Sequence, residues 1–207
     1  MKKAILLLIV ALMIIPTAEA KRRETPDEIA RKTREYKGWE WGAEARFDLV
    51  FYDMIYSKVY NDAAKKSYAA QAKFGGNVML NGGYFITNNW KVGLEIGAQM
   101  QYNYTMMPLA VTAQYFYGKR KNCLFNFVNL GTNVLFQKGM RFGALGEAGV
   151  GVRLQSPQSK LKYNIIIGYQ ALMLNPRPKS GQFGYENKDV NFKKVNQSVY
   201  IGVGIAF

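Results

Sequence analysis

The last nine residues, Val199-Tyr200-Ile201-Gly202-Val203-Gly204-Ile205-Ala206-Phe207, alternate apolar with small or polar side chains. Val199, Ile201, Val203, Ile205 and Phe207 share one side; Tyr200, Gly202, Gly204 and Ala206 share the other. A period of two describes a strand whose faces meet different media. The pattern recurs along most of the chain, and this narrows the fold more than any other feature. A set of such strands can bury its backbone groups in lipid only by closing on itself.

The amino terminus says where such strands are sent. Residues 1–20 read as a secretory signal: Lys2 and Lys3, an apolar run over 4–15, Pro16, and Ala18-Glu19-Ala20 as a small-x-small cleavage site. The run is shorter than the about 20 residues a membrane helix needs. Lys21, not Cys, follows the cut, so no lipid anchor is expected. Residues 21–38 are expected to form a periplasmic segment. Thr25-Pro26-Asp27-Glu28 has the cap, first-turn Pro and third-position Glu of a helix start. The residues after it are poor in apolar side chains, which implies a short solvated helix or a loose tail. Residues 39–207 make one domain.

Hydrophobic residues are 49% of the chain, interleaved rather than clustered, and none of the later segments is a membrane helix. A barrel has this composition because alternate residues alone touch lipid. The net charge is +14 and dispersed. Together with an export signal, it excludes a nucleic-acid partner and fits the phosphates of membrane lipids. Cys123 is the single cysteine, so no intrachain disulfide forms, and it reads as a small apolar filler.

Eight strands are predicted, at about 39–53, 69–82, 89–103, 107–117, 122–136, 140–154, 160–173 and 196–207. The third is clearest: Trp90, Val92, Leu94, Ile96, Ala98, Met100 and Tyr102 alternate with Lys91, Gly93, Glu95, Gly97, Gln99, Gln101 and Asn103. In the fifth, Phe125 and Phe127 favour one register and Leu130, Val134 and Phe136 the other, so a bulge near Asn129 or Gly131 is expected. Short connections at 83–88, 118–121 and 155–158 would face the periplasm; long ones at 54–68 and 174–195 would face outside. Trp39, Trp41, Tyr84, Trp90, Tyr115, Tyr117 and Phe207 map to the periplasmic rim, and Tyr52, Tyr56, Tyr102, Tyr104, Phe136 and Phe142 to the outer rim. Amphipathic rings favour both lipid–water boundaries. The predicted fold is all-β: an eight-stranded antiparallel up-and-down transmembrane barrel.

With the apolar face outward, Glu40, Glu44, Arg46, Asp48, Lys73, Lys91, Glu95, Arg141, Glu147, Arg153 and Lys162 point inward. Five acids against six bases imply a paired network, since buried charges must pair or stay hydrated. Gly93, Gly97, Gly149, Gly151, Gly202 and Gly204 leave room for long side chains opposite. An eight-stranded barrel is about filled by its own side chains, so an open pore is not expected. The chain has no histidine, which excludes Ser-His and Asp-His mechanisms. Glu40 and Glu44 are expected in an ion-pair ladder rather than as an acid–base pair. No catalytic residue, cofactor site or metal-ligand spacing is read. Outer-loop bases (Lys58, Lys65, Lys66, Lys138, Arg177, Lys179, Lys188, Lys193 and Lys194) could contact lipopolysaccharide phosphates or simply keep the surface solvated.

The signal segment, the hairpin from Gly82 to Gly93, the Pro108-to-Tyr117 strand and the terminal alternation resemble the small outer-membrane β-barrel proteins, the OmpA/OmpX-like superfamily. The resemblance covers about 39–207. It implies a location in the outer membrane of a Gram-negative cell and outer-membrane lipids, lipopolysaccharide included, as partners. It also implies recognition by the barrel-assembly machinery, with Tyr200, Ile201, Val203, Ile205 and Phe207 as the assembly signal. A monomeric, non-enzymatic protein with an envelope-structural or surface-contact role is expected. Two alternatives stay open: a secreted lipocalin-like barrel with the apolar face inward around a ligand, and a narrow gated channel.

Overall fold

The computed structural model describes residues 33–59, 62–101, 104–136, 141–155, 160–174 and 190–207; over 53–72 and 190–193, and at 104 and 141, it describes the backbone alone. The signal segment 1–20 and the helix start at Thr25 lie outside the described residues. Eight strands run in order: β1 (Gly38–Val59), β2 (Asp62–Phe85), β3 (Trp90–Gln101), β4 (Tyr104–Phe116), β5 (Cys123–Leu135), β6 (Arg141–Gln155), β7 (Lys162–Leu174) and β8 (Val190–Ala206). Each pairs antiparallel with the next, and β8 returns to β1, closing the barrel. Closure leaves no edge in the wall, so its backbone N–H and C=O groups are met by neighbouring strands.

The faces divide as the alternation predicts. Val92, Leu94 and Ile96 stand on the outer surface, whereas Glu95 is 1% exposed and Arg153 fully buried. This is the reverse of a lipocalin-like arrangement. Trp39, Trp41, Tyr84, Trp90, Tyr117 and Phe207 are exposed on one rim. Trp39 stacks on Trp41 with centroids 6.1 Å apart, and Trp90 meets Tyr115 at 5.0 Å. On the other rim Phe136 and Phe142 are exposed, joined by Phe51 and Phe74. The side chains of Tyr56, Tyr102 and Tyr104 lie outside the described residues. The Trp41 ring lies over Gly82, its cross-strand partner, where an added Cβ would collide with it.

Three expectations need correction. The outer connection at 54–68 is not a loop: β1 and β2 continue as a ladder to Val59↔Asp62. β8 likewise begins at Val190 and pairs with β1 beyond the wall proper. The run Asp62-Ala63-Ala64-Lys65-Lys66 is weak in strand formers, but each residue finds a partner on β1, and the backbone pairing overrides local preference. The predicted bulge in β5 does not form, because β5 pairs with β6 in unbroken register from Cys123↔Arg153 to Leu135↔Arg141. Its two apolar faces have a different origin: Phe125 and Phe127 point into the barrel. The register irregularity lies in β1, between Val50 and Tyr52. Finally Lys194, expected on an outer loop, belongs to β8 and is 6% exposed.

Candidate functional site in the barrel interior

The interior is built in layers from the inward residues of all eight strands. At the end that carries the short β2–β3 and β4–β5 connections, residues 33–37 enter the barrel mouth. Thr33 bridges Arg120, and the Arg34 N–H donates to the Lys119 carbonyl at 2.7 Å. The Arg34 guanidinium donates to the Gly118 carbonyl at 2.8 Å and to Cys123 Sγ at 3.2 Å. Gly118 has φ +71°, a left-handed conformation that costs glycine little, and the turn it makes places this carbonyl. Asn88 clasps the same segment: its Oδ1 accepts from the Tyr36 N–H at 2.8 Å and its Nδ2 donates to the Arg34 carbonyl at 2.9 Å. Tyr36 packs on Phe85 and Phe116 at 4.9 and 5.9 Å. Burial pushes the Tyr36 phenol up from its usual range. Residues 33–37 are therefore docked in the mouth and Gly38 opens β1; residues 21–32 lie outside the described residues.

Above this plug, one carboxylate holds three bases. Glu40 accepts from both terminal nitrogens of Arg153 at 2.9 and 3.0 Å and pairs with Lys91 at 2.9 Å and Lys162 at 2.8 Å. Arg153 also donates to Asn164 at 2.9 Å and lies 4.4 Å over the Phe116 ring. The next layer is the inverse: one guanidinium holds three carboxylates. Arg46 meets Glu44 at 2.7 Å, Glu95 at 2.9 Å and Glu147 at 2.9 Å. Asn129 donates to Glu95 and Glu147 at 3.0 and 2.8 Å, Gln170 to Glu147 at 2.6 Å, and Asn81 to Glu44 at 3.3 Å. The Tyr200 ring lies 5.2 Å from the Arg46 guanidinium, and its hydroxyl reaches Glu147 at 3.5 Å.

Glycines make this packing possible. A Cβ on Gly202 would come within 2.9 Å of the Arg46 stem, one on Gly204 within 2.6 Å of Glu44, and one on Gly168 within 2.5 Å of the Tyr200 ring. Asp48 stands above, fully buried, with Gln99 and Asn77 donating to one of its oxygens at 3.1 and 3.4 Å. Towards the opposite end of the barrel an apolar cluster of Met106, Ala110, Leu135, Leu145, Leu172 and Leu174 fills the side formed by β4 to β7.

Of the predicted interior charges, the structure thus gathers Glu40, Lys91, Arg153 and Lys162 in one layer and Glu44, Arg46, Glu95 and Glu147 in another. Glu40 and Glu44 part company, each taking its own cations. Asp48 joins neither set of ion pairs. Lys73, opposite Val50, is half-buried, and the Arg141 side chain lies outside the described residues. Within the proposed assembly signal, Ile201, Val203, Ile205 and Phe207 form an exposed outward stripe, while Tyr200 is buried against the carboxylate layer. Sequence reasoning did not assign Arg34, Tyr36 or Asn129 to the interior network, nor Phe85, Phe116, Phe125 and Phe127 to an interior aromatic base. The alternation carried a signal for Phe125 and Phe127; nothing in it could reach Arg34 and Tyr36, which precede the first strand.

No family model and no curated protein matches the chain. Among solved structures it is similar to Neisserial surface protein A, at 15% identity and a TM-score of 0.36 over 80% of this chain and 96% of that one. It is similar also to the N-terminal β-barrel domain of OprF from Pseudomonas aeruginosa, at 12% identity and a TM-score of 0.38 over 80% and 97%. A third is outer membrane protein AlkL in lipid bilayers, at 14% identity and a TM-score of 0.44 over 92% and 97%.

Proposed function

We propose that this protein is a non-enzymatic, integral outer-membrane barrel with a closed interior, acting at the cell surface through its outer end. One observation carries the membrane reading: Trp, Leu, Ile, Val and Phe cover the outside of a closed barrel while the ion pairs are enclosed. In water that surface would be an aggregation liability; in hydrocarbon it is the favoured arrangement. The non-enzymatic reading rests on the burial of the carboxylates, since Glu40, Glu44, Asp48, Glu95 and Glu147 are each at most 5% exposed, out of a substrate's reach. The surface role rests on the β1–β2–β8 ladder, which continues past the last pairs of β3 and β7. Outer-leaflet lipids, lipopolysaccharide included, are the proposed contacts. The outward stripe of Ile201, Val203, Ile205 and Phe207 is the proposed docking signal for barrel assembly.

Gel mobility of outer membranes, with and without boiling, tests the reading. A detergent-resistant barrel changes mobility on heating; recovery of the protein in the soluble fraction after a carbonate wash overturns it. Planar-bilayer recordings separate a closed barrel, silent at high protein load, from a narrow channel.

A further inference from the structure

We infer that the barrel interior holds a monovalent cation at Asp48. Among the described residues, four acids (Glu44, Asp48, Glu95 and Glu147) cluster with a single base, Arg46, which is taken up by the three glutamates. No described base forms an ion pair with Asp48, although it is fully buried. With only amide donors beside it, a carboxylate in that position is met in full by a cation or by a proton.

A second observation, independent of the charge, is a set of buried oxygens without a donor beside it. Asp48 Oδ1, Gln99 Oε1 and Asn77 Oδ1 have no protein donor, and all three residues are at most 5% exposed. Their amide orientations are set by a relay. Glu147 Oε1 accepts from Gln170 Nε2 at 2.6 Å, which turns the Gln170 oxygen towards Gln99. Gln99 Nε2 donates to that oxygen at 2.8 Å and to Asp48 Oδ2 at 3.1 Å, so Gln99 Oε1 is left as a bare acceptor. Asn77 donates through Nδ2 to Asp48 Oδ2, leaving its own oxygen bare. Asp48, Asn77 and Gln99 lie on the adjoining strands β1, β2 and β3, and both amides reach the same carboxylate oxygen.

A carboxylate and two amide oxygens are the hard donors that alkali and alkaline-earth ions choose. One formal charge among the three donors matches a monovalent ion. A proton on Asp48 would engage two of the three oxygens and leave the third bare; the proposed cation would draw on all three.

The test uses the full mature chain refolded in detergent micelles, at constant ionic strength in sodium chloride or choline chloride. Wild-type protein is expected to melt higher in sodium by about 5 °C or more at saturation. It should also retain about one equivalent of thallium(I), a heavy probe for the same site, after desalting. Asp48→Asn removes the charge at constant shape; it should lose the sodium response and the thallium, and should match in choline the stability of wild type in sodium. Equal melting in both salts, or an undiminished response in Asp48→Asn, overturns the proposal. So does a response to calcium alone. Stabilisation of the wild type by acid without any sodium effect also overturns it, and assigns a proton to Asp48.

Discussion

The two charged layers of the barrel are near mirror images in sign. In the lower layer Glu40 serves three cations; in the upper layer Arg46 serves three carboxylates. Their surroundings differ as well. The lower layer lies on an aromatic base of Tyr36, Phe85, Phe116 and Phe125, whose faces attract cations, with Arg153 over three of these rings. The upper layer is ringed by amides, Asn81, Asn129 and Gln170, which donate to the extra carboxylates. The excess charge in each layer is thus met by a different chemistry: quadrupoles below, amide donors above. The lesson is that counting charges over the whole lumen conceals their arrangement. The acids and bases nearly balance in number, yet the balance is struck between layers and not within either.

This contrast can be broken most sharply at its hubs. Arg46→Leu strands three buried carboxylates and should cost about 3–5 kcal/mol or more, the scale of breaking a buried pair; loss of the folded, heat-modifiable gel band after refolding checks it. Adding Glu44→Gln, Glu95→Gln and Glu147→Gln to that variant should recover most of the loss, since no charge is then left unpaired. Glu40→Gln is the counterpart in the lower layer and should cost less, about 3 kcal/mol. Lys162 is partly exposed at 14%, and the ring faces retain some of the cations' stabilisation. Thermal unfolding in micelles measures the gap between the two, and a larger loss for Glu40→Gln than for Arg46→Leu would refute the contrast.

Gly168→Ala forces Tyr200 off the upper layer and should cost about 1–3 kcal/mol by overpacking. Pairing it with Tyr200→Ala should restore the room, which melting curves of the single and double variants would reveal. The smallest effect belongs to the plug. Because burial raises the Tyr36 phenol, its contribution is present in full below the usual tyrosine range. It is lost as the pH rises from the unfolded pKa through the raised folded one. Tyr36→Phe should remove this alkaline limb at the cost of a long 3.5 Å hydroxyl bond to the Lys121 carbonyl. Fluorescence of a dye attached near residue 33 would follow undocking against pH in both proteins.

Much of the wall was legible because a strand in a lipid-facing barrel obeys a rule local to itself. Trp90 to Gln101 needs no knowledge of its neighbours to show which face is apolar. The inward identities of Glu40, Arg46, Glu95 and Arg153 followed from the same rule. It failed where two faces are both apolar, as in β5, because aromatic rings inside the barrel imitate a register slip. It failed again past the rim, where 54–68 has loop-like composition yet extends the ladder. The grouping of the charges was not legible at all. Residues Arg46 and Glu147 stand 101 positions apart and meet only across the lumen.

The sequence by itself determined which side chains face lipid and which face inward, since both follow from a period of two and from closure of eight strands. The tertiary structure alone decided the partners: the stagger between strands sets which inward residues share a level, and that stagger is a property of the closed sheet. It put Glu40 and Glu44 in opposite layers, drew Arg34 and Tyr36 into the mouth, and left Asp48 among amides with no described base paired to it.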